Sequence, residues 1–312
     1  MNLKNILLGL DGVKARGNID IDINSIEEDS RKIKKGDLFF AIKGFVLDGM
    51  DYIDDAIKNG SKAIVVSADS DFKSLKLPED VTLIVVPDVR KAMAIAASNF
   101  YNNPSEKFKL VGVTGTKGKT TTTYMIKEIC EKQGYKVGLI GTIENYIAGK
   151  SLGNSERTTP GSIELQRMFS EMVEAKCDVV VMEVSSQSLK LDRVYGVDFD
   201  IGVFTNLSED HISSSEHKDM NDYFETKCKL FDICKIGFAN SDDIYTHKLL
   251  KRDTKAEIIT YGIDNYSNIL AKDITITNSY VDFKIRMGER NERVKTGIPG
   301  RFSVYNSLAA IA

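Results

Sequence analysis

The segment Gly112-Val113-Thr114-Gly115-Thr116-Lys117-Gly118-Lys119-Thr120-Thr121 constrains the fold of this chain more than any other. Before it, KLVGVTG (109–115) reads as a buried strand. After it, TTTYMIKEICEKQG (121–134) has helical spacing and a glycine stop. A glycine-rich turn from strand to helix lets backbone N–H groups face inward. Together with the partial positive charge of the helix N-terminus they make an anion site. Gly-Lys-Thr at that turn is the core of a phosphate loop, with Lys119 reaching the β- and γ-phosphates and the Thr120 hydroxyl taking Mg²⁺. The general pattern wants glycine five positions before Gly118. Here that position is Val113, and glycines stand at 112 and 115. The competing reading is a plain glycine-rich turn. The guanine-reading motif NKxD is absent, which favours ATP.

The rest of the chain repeats strand and helix. DLFFAI (37–42), KAIVVS (62–67) and TLIVVP (82–87) read as strands, with helices over 48–60 and 89–103. KVGLIG (136–141), DVVVMEV (178–184) and DIGVFTN (200–206) read as further strands, with helices over 162–176 and 219–234. Short apolar strands joined by helical crossovers predict an α/β fold with mostly parallel, helix-covered sheets. ITITNSYVDFKIRM (274–287) alternates and predicts an antiparallel pair. Asn102-Asn103-Pro104-Ser105 is the best linker, because proline ends helices and asparagine favours turns. Two domains are expected, 1–104 and 105–312. VYNSLAAIA (304–312) is an apolar helical pattern without a stop signal, so more chain is expected to follow.

Composition removes several function classes. A chain of 312 residues with 42% hydrophobic and 28% charged residues has the make-up of a globular protein large enough for a core without staples. The 42 basic residues against 45 acidic ones argue against a bulk nucleic-acid partner. Cys130, Cys177, Cys228 and Cys234 form no CxxC pair and read as reduced thiols. No signal peptide or membrane span is recognisable, so a cytoplasmic, membrane-free protein is expected, monomeric by default.

Two further strand ends carry polar residues. Glu183 closes VVVMEV, and in open α/β sheets ligands sit at the carboxyl ends of strands. There it would hold a metal ion near the γ-phosphate, unless it is a salt-bridged strand-end carboxylate. FTNLSEDH (204–211) delivers Asp210 and His211 to the same edge. His247 lies in a charged stretch and reads as a surface residue. Lys227, read alone, is one lysine on an amphipathic helix, a solvated charge.

Taken together, GVTGTKGKTTT (112–122), MEVSSQSLKLDRV (182–194), FTNLSEDH (204–211) and YFETKCKLF (223–231) resemble the central ATPase domain of the Mur ligase family. Asp29-Ser30-Arg31, the 44–49 stretch GFVLDG and Thr158-Thr159-Pro160 resemble the branch that adds the third amino acid of the peptidoglycan stem. The resemblance covers nearly the whole chain. It implies an N-terminal uridine-binding domain and a central ATP-binding domain, and it implies the reaction. ATP phosphorylates the terminal carboxylate of UDP-MurNAc-L-Ala-D-Glu, and an amino acid attacks the acyl phosphate.

The resemblance also assigns residues. Gly115, Thr116, Lys117, Gly118, Lys119, Thr120 and Thr121 would bind ATP, with Asn306 facing adenine. Asp29, Ser30 and Arg31 would contact the uridine diphosphate. Thr158, Thr159, Ser185 and Arg193 would hold the muramoyl dipeptide. Lys119, Glu183, His211 and a carbamylated Lys227 would be catalytic, and Thr120, Glu183, His211 and Lys227 would serve magnesium. The chain departs from the family at the loop after His211 (212–218), at Gln187 where many members carry His, and at Ser303 where Asn is frequent. The loop variant leans toward lysine over meso-diaminopimelate as the added amino acid. The family's C-terminal domain is not recognisable, so this chain is expected to bind ligands but ligate poorly. A folylpolyglutamate synthetase-like ligase and a non-catalytic nucleotide-binding module are the alternatives.

Overall fold

The computed structural model describes residues 1–210, 212–213 and 216–312. Its backbone divides into two compact units. The first comprises Met1–Pro104, Gly161–Ser170 and Leu191–Gly196, and the second Ser105–Pro160, Glu171–Lys190 and Val197–Ala312. Two short mid-chain segments thus join the first unit, which a single division after residue 104 does not provide for. At that division Asn102 and Asn103 adopt left-handed backbone, φ 60° and 49°, which asparagine tolerates better than most residues.

In the first unit, β1 (Lys14–Arg16), β2 (Ile26–Glu27), β3 (Leu38–Phe40), β4 (Ala63–Ser67) and β5 (Thr82–Val86) form a sheet in the order β1-β5-β4-β3-β2. It is parallel except where β1 pairs with β5. Helices α1 (Leu3–Ile6) and α3 (Val89–Phe100) share a core with Leu38 and Phe40, while α2 (Ile53–Lys58) shares a separate one with Phe39. Alternate residues of one strand therefore reach opposite layers. Both faces are covered, which is why β3, β4 and β5 read as unbroken apolar runs.

The second unit is built on a wider sheet. Its strands are β6 (Lys109–Thr114), β7 (Val137–Ile140), β8 (Glu144–Ile147), β9 (Lys150–Asn154), β10 (Val179–Glu183), β11 (Phe199–Phe204), β12 (Cys234–Asn240), β13 (Glu257–Gly262), β14 (Ile269–Ile276), β15 (Val281–Met287) and β16 (Arg290–Thr296). Among the described residues the order is β16-β15-β14-β13-β12-β11-β6-β10-β7-β8-β9. Strands β14 through β7 run parallel, and antiparallel hairpins extend both edges. The helices are α4 (Lys119–Lys132), α6 (Ser186–Lys190), α7 (Met220–Asp232), α8 (Thr246–Leu249) and α9 (Arg301–Ile311), while α5 (Ser162–Glu174) belongs to the first unit up to Ser170 and to the second from Glu171. Helix α7 stops two residues before the expected end at 234, because Cys234 opens β12. No described helix is long and apolar enough to cross a membrane.

Strand β6 is central, flanked by β10 and β11. Gly112 has no side chain because Phe199 fills the space, and an added Cβ would lie 2.7 Å from its ring. The carboxyl ends of β6, β7, β10 and β11 therefore meet at one edge, where the polar residues of the sequence converge.

Candidate active site

The loop between β6 and α4 is held from behind by the end of β11. Thr205 Oγ1 and Asn206 Nδ2 both donate to the Lys117 carbonyl, at 2.7 and 2.9 Å. Lys117 N–H donates to Asn206 Oδ1 at 3.0 Å, and Thr116 N–H to the Asn206 carbonyl at 2.9 Å. With these groups satisfied, the loop is set before any ligand arrives. Gly118 caps α4 at φ 86°, a backbone region glycine adopts without cost. It also admits Asn306 from α9, since a Cβ there would lie 2.5 Å from Asn306 Oδ1. Thr121 follows in the first turn of α4.

Two lysines converge on this loop. Lys119 Nζ donates to the carbonyls of Gly115 and Thr116, at 2.9 and 3.0 Å. Lys227 Nζ donates to the same Gly115 oxygen at 3.0 Å and lies 4.5 Å from the centre of the Tyr223 ring. Lys227 is 1% exposed, so the reading of a solvated helix lysine is corrected. It sits on the buried face of α7 with Tyr223, Phe224 and Phe231. Burial first, and the Lys119 charge second, push the Lys227 ammonium well below its ordinary value. Burial also lowers Lys119, opposed by Glu183 and Asp210. The second unit thus gathers two cationic side chains, one of them readily deprotonated, at a helix N-terminus.

Glu183, at the end of β10, is fully buried, and its charge acts on Lys119. Its Oε1 accepts from Thr120 Oγ1 at 3.0 Å and from Thr142 N–H at 2.9 Å, while its Oε2 accepts from Thr142 Oγ1 at 3.0 Å. Gly141 leaves room for the carboxylate, 2.7 Å from where a Cβ would stand. Thr142 Oγ1 lies 3.1 Å from Thr158 Oγ1, so a hydroxyl chain runs from Thr158 to the carboxylate. Thr159 Oγ1 donates to the Glu183 carbonyl at 2.9 Å and accepts from Ser185 N–H at 3.1 Å. Thr120, Thr158, Thr159, Glu183 and Ser185 are therefore brought together with the phosphate loop.

The remaining expected residues lie elsewhere. Asp29, Ser30, Arg31 and Arg193 belong to the first unit. Asp29 caps a short 3₁₀ turn and accepts from Arg31 Nε and Nη2 at 2.9 and 2.8 Å. That guanidinium, largely exposed, holds the Asp29 carboxyl below the usual range. Ser30 is buried. His211 lies outside the described residues. His247 is exposed, as expected. His217, which precedes α7, is buried, with its Nδ1 3.2 Å from Asp222 Oδ2 in the first turn of that helix.

Thr142 and Asn206 escaped the sequence reading. Both follow carboxyl strand ends, Thr142 after β7 and Asn206 after β11, so the rule that pointed to Glu183 also points to them. Thr120 and Glu183 present oxygen donors side by side, the type Mg²⁺ prefers from protein, with phosphate and water supplying the rest. The donor set fits that ion. Among the described residues no group of three His, Cys, Asp or Glu side chains is assembled for a metal.

Known proteins resemble this chain along its whole length. Residues 113–312 match the Mur ligase middle domain and residues 22–101 the Mur ligase family catalytic domain. The chain is 44% identical over 311 residues to the UDP-N-acetylmuramoyl-L-alanyl-D-glutamate–2,6-diaminopimelate ligase of Clostridium tetani, covering 100% of this chain and 63% of that protein. It is 47% identical over 306 residues to the ligase of that name in Caldanaerobacter subterraneus subsp. tengcongensis, covering 97% of this chain and 61% of the relative. A solved structure of such a ligase superposes with a TM-score of 0.83 at 23% identity, over 100% of this chain and 62% of that one. The chain therefore spans a little over three fifths of the length of these relatives.

Proposed function

The chain belongs to the Mur ligase family, and from that premise we propose that it serves the ATP-dependent addition of the third amino acid to UDP-MurNAc-L-Ala-D-Glu in peptidoglycan synthesis. The observation that carries the proposal is the pairing of the Lys119–Lys227 cradle with Glu183 across one strand edge. The substrate carboxylate attacks the γ-phosphorus of ATP, the bond to ADP breaks, and an acyl phosphate forms. The amine of the amino acid then attacks the acyl carbon, and phosphate leaves with the bonding pair. A carboxylate is a poor electrophile, and phosphorylation supplies the leaving group.

Lys119 and the α4 N-terminus stabilise the charge on the transferred phosphoryl group. Thr120 and Glu183 would hold magnesium, with His211 and Lys227 as further contributors. Bound there, magnesium would supply positive charge to offset the negative charge of the phosphate oxygens. Depressed basicity exposes the Lys227 lone pair. Its neutral amine can add to CO₂, forming an N–C bond and losing a proton, so that an anionic carbamate replaces a cation. Thr158, Thr159 and Ser185 would face the muramoyl dipeptide. Asp29, Ser30, Arg31 and Arg193 would act from the first unit, Arg31 through a planar fork suited to phosphate. We take the amino acid to be 2,6-diaminopimelate, as in the names of the relatives at 44 and 47% identity, in place of the lean toward lysine. The substrates are cytoplasmic metabolites, and that is where we place the protein.

Thermal unfolding tests the proposal. Mg²⁺ with ATP, and separately UDP-MurNAc-L-Ala-D-Glu, should each raise Tm by several degrees. A ligand at 100 times its Kd contributes about 2.7 kcal/mol. A shift with a folate and none with the UDP-sugar dipeptide would favour a folylpolyglutamate synthetase-like ligase instead. A shift with ATP alone would leave a nucleotide-binding module.

A further inference from the structure

The Asp242 carboxylate, beyond the end of β12, takes four hydrogen bonds. Its Oδ2 accepts from Ile263 N–H, Asp264 N–H and Tyr305 Oη, at 2.6, 3.0 and 3.0 Å, and its Oδ1 from Asn265 N–H at 2.7 Å. Burial alone would raise this carboxyl. The three backbone N–H groups outweigh it, so Asp242 stays ionised. The 263–265 turn that it fixes carries Asp264, and both carboxylate oxygens of Asp264 accept from Arg301 Nη2, at 2.6 and 2.5 Å.

Arg301 and Tyr305 are four residues apart on α9 and share one face. Gly300 gives α9 no side-chain cap, so these two contacts hold its first turns to the β12 and β13 ends. Asn306 is the next residue, about 100° further round the helix. Its side chain lies against Gly118, and its Oδ1 is 3.5 Å from Thr122 Oγ1. The aim of Asn306 is thus set by what its helix neighbours grip.

We propose that Asp242, through Tyr305, is a positioning residue that holds Asn306 at the base end of the nucleotide site and thereby sets the preference for a purine-bearing triphosphate over a bare polyphosphate. This rests on the reading that the phosphate loop binds ATP with Asn306 toward adenine. Among the described residues neither Asp242 nor Tyr305 hydrogen-bonds to the phosphate loop. Burial and the Asp242 carboxylate push the Tyr305 phenol up to about 12, so it remains a donor at neutral pH.

The test compares two probes, ATP and inorganic tripolyphosphate, each with Mg²⁺, by calorimetric titration of the chain and of Tyr305→Phe. Phenylalanine keeps the ring and removes only the hydroxyl. ATP affinity should fall about tenfold, equivalent to one lost hydrogen bond to a charged group. Tripolyphosphate affinity should stay unchanged. A cycle with Asn306→Ala should show coupling, the double variant binding ATP no worse than Asn306→Ala alone. Equal loss for both probes would mean a structural effect on the whole site and would overturn the proposal, as would an unchanged ATP affinity. If the unaltered chain binds both probes equally, the reading of Asn306 as a base contact fails, and this inference fails with it.

Discussion

Lys119 and Lys227 donate to one carbonyl oxygen, that of Gly115. Two cations that close, one of them fully buried, form an arrangement that costs stability until an anion or a proton loss relieves it. Below its depressed folded value Lys227 is charged in both states, and the penalty is fully present. Between that value and the unfolded ~10.4 the folded chain binds fewer protons than the unfolded one, so stability rises with pH. Replacing Lys227 with Met removes the penalty, while Gly115 keeps its bond from Lys119. Lys227→Met should therefore unfold a few degrees higher than the unaltered chain at neutral pH, with the gap closing by about pH 10 in a Tm series. A gap that widens toward alkaline pH would contradict the assigned burial effect. Lys227 also marks how far sequence reading goes. Helical periodicity put one lysine among seven buried positions of α7 on the solvent side, because a charge is normally outside. Only the family resemblance singled it out. Glu183 was readable without it, from the strand-end rule alone.

The element that matters most is the loop that closes on α4. Gly118 serves it twice, through φ 86° and through the space it leaves for Asn306. Gly118→Ala should lower stability by about 1–3 kcal/mol in denaturant titration and abolish the Tm rise with Mg²⁺ and ATP. Retention of the full ATP shift would show that the approach of α9 to this loop is not needed. Strands β3 to β7, β10 and β11 were legible as apolar runs, and the end of β14 with β15 as an alternating pair. Strands β12 and β13 went unread, and so did β9 and β16. Every residue of β9 is exposed and β16 reads RNERVKT, so neither offers the apolar alternation by which a strand is recognised. They are edge strands defined by backbone pairing with β8 and β15, and long-range pairing leaves little local trace.

For the molecule as a whole, composition and strand–helix alternation gave two α/β bodies with parallel sheets. What they could not give is the recruitment of 161–170 and 191–196 into the first unit, because that depends on tertiary contacts made far from the linker in sequence. The residues expected to recognise the substrate are distributed accordingly, Asp29, Ser30, Arg31 and Arg193 in one unit and Thr158, Thr159 and Ser185 in the other. The central claim concerns the second unit: that its strand edge is a magnesium–ATP site with Glu183 and the two lysines as its walls. Hydrogen exchange followed by mass spectrometry, with and without saturating Mg²⁺ and ATP, reads that edge directly. Exchange should slow in peptides spanning 115–122, 141–143 and 301–307, with 263–265 following α9. Protection confined to other peptides, under conditions where ATP measurably raises Tm, would contradict it.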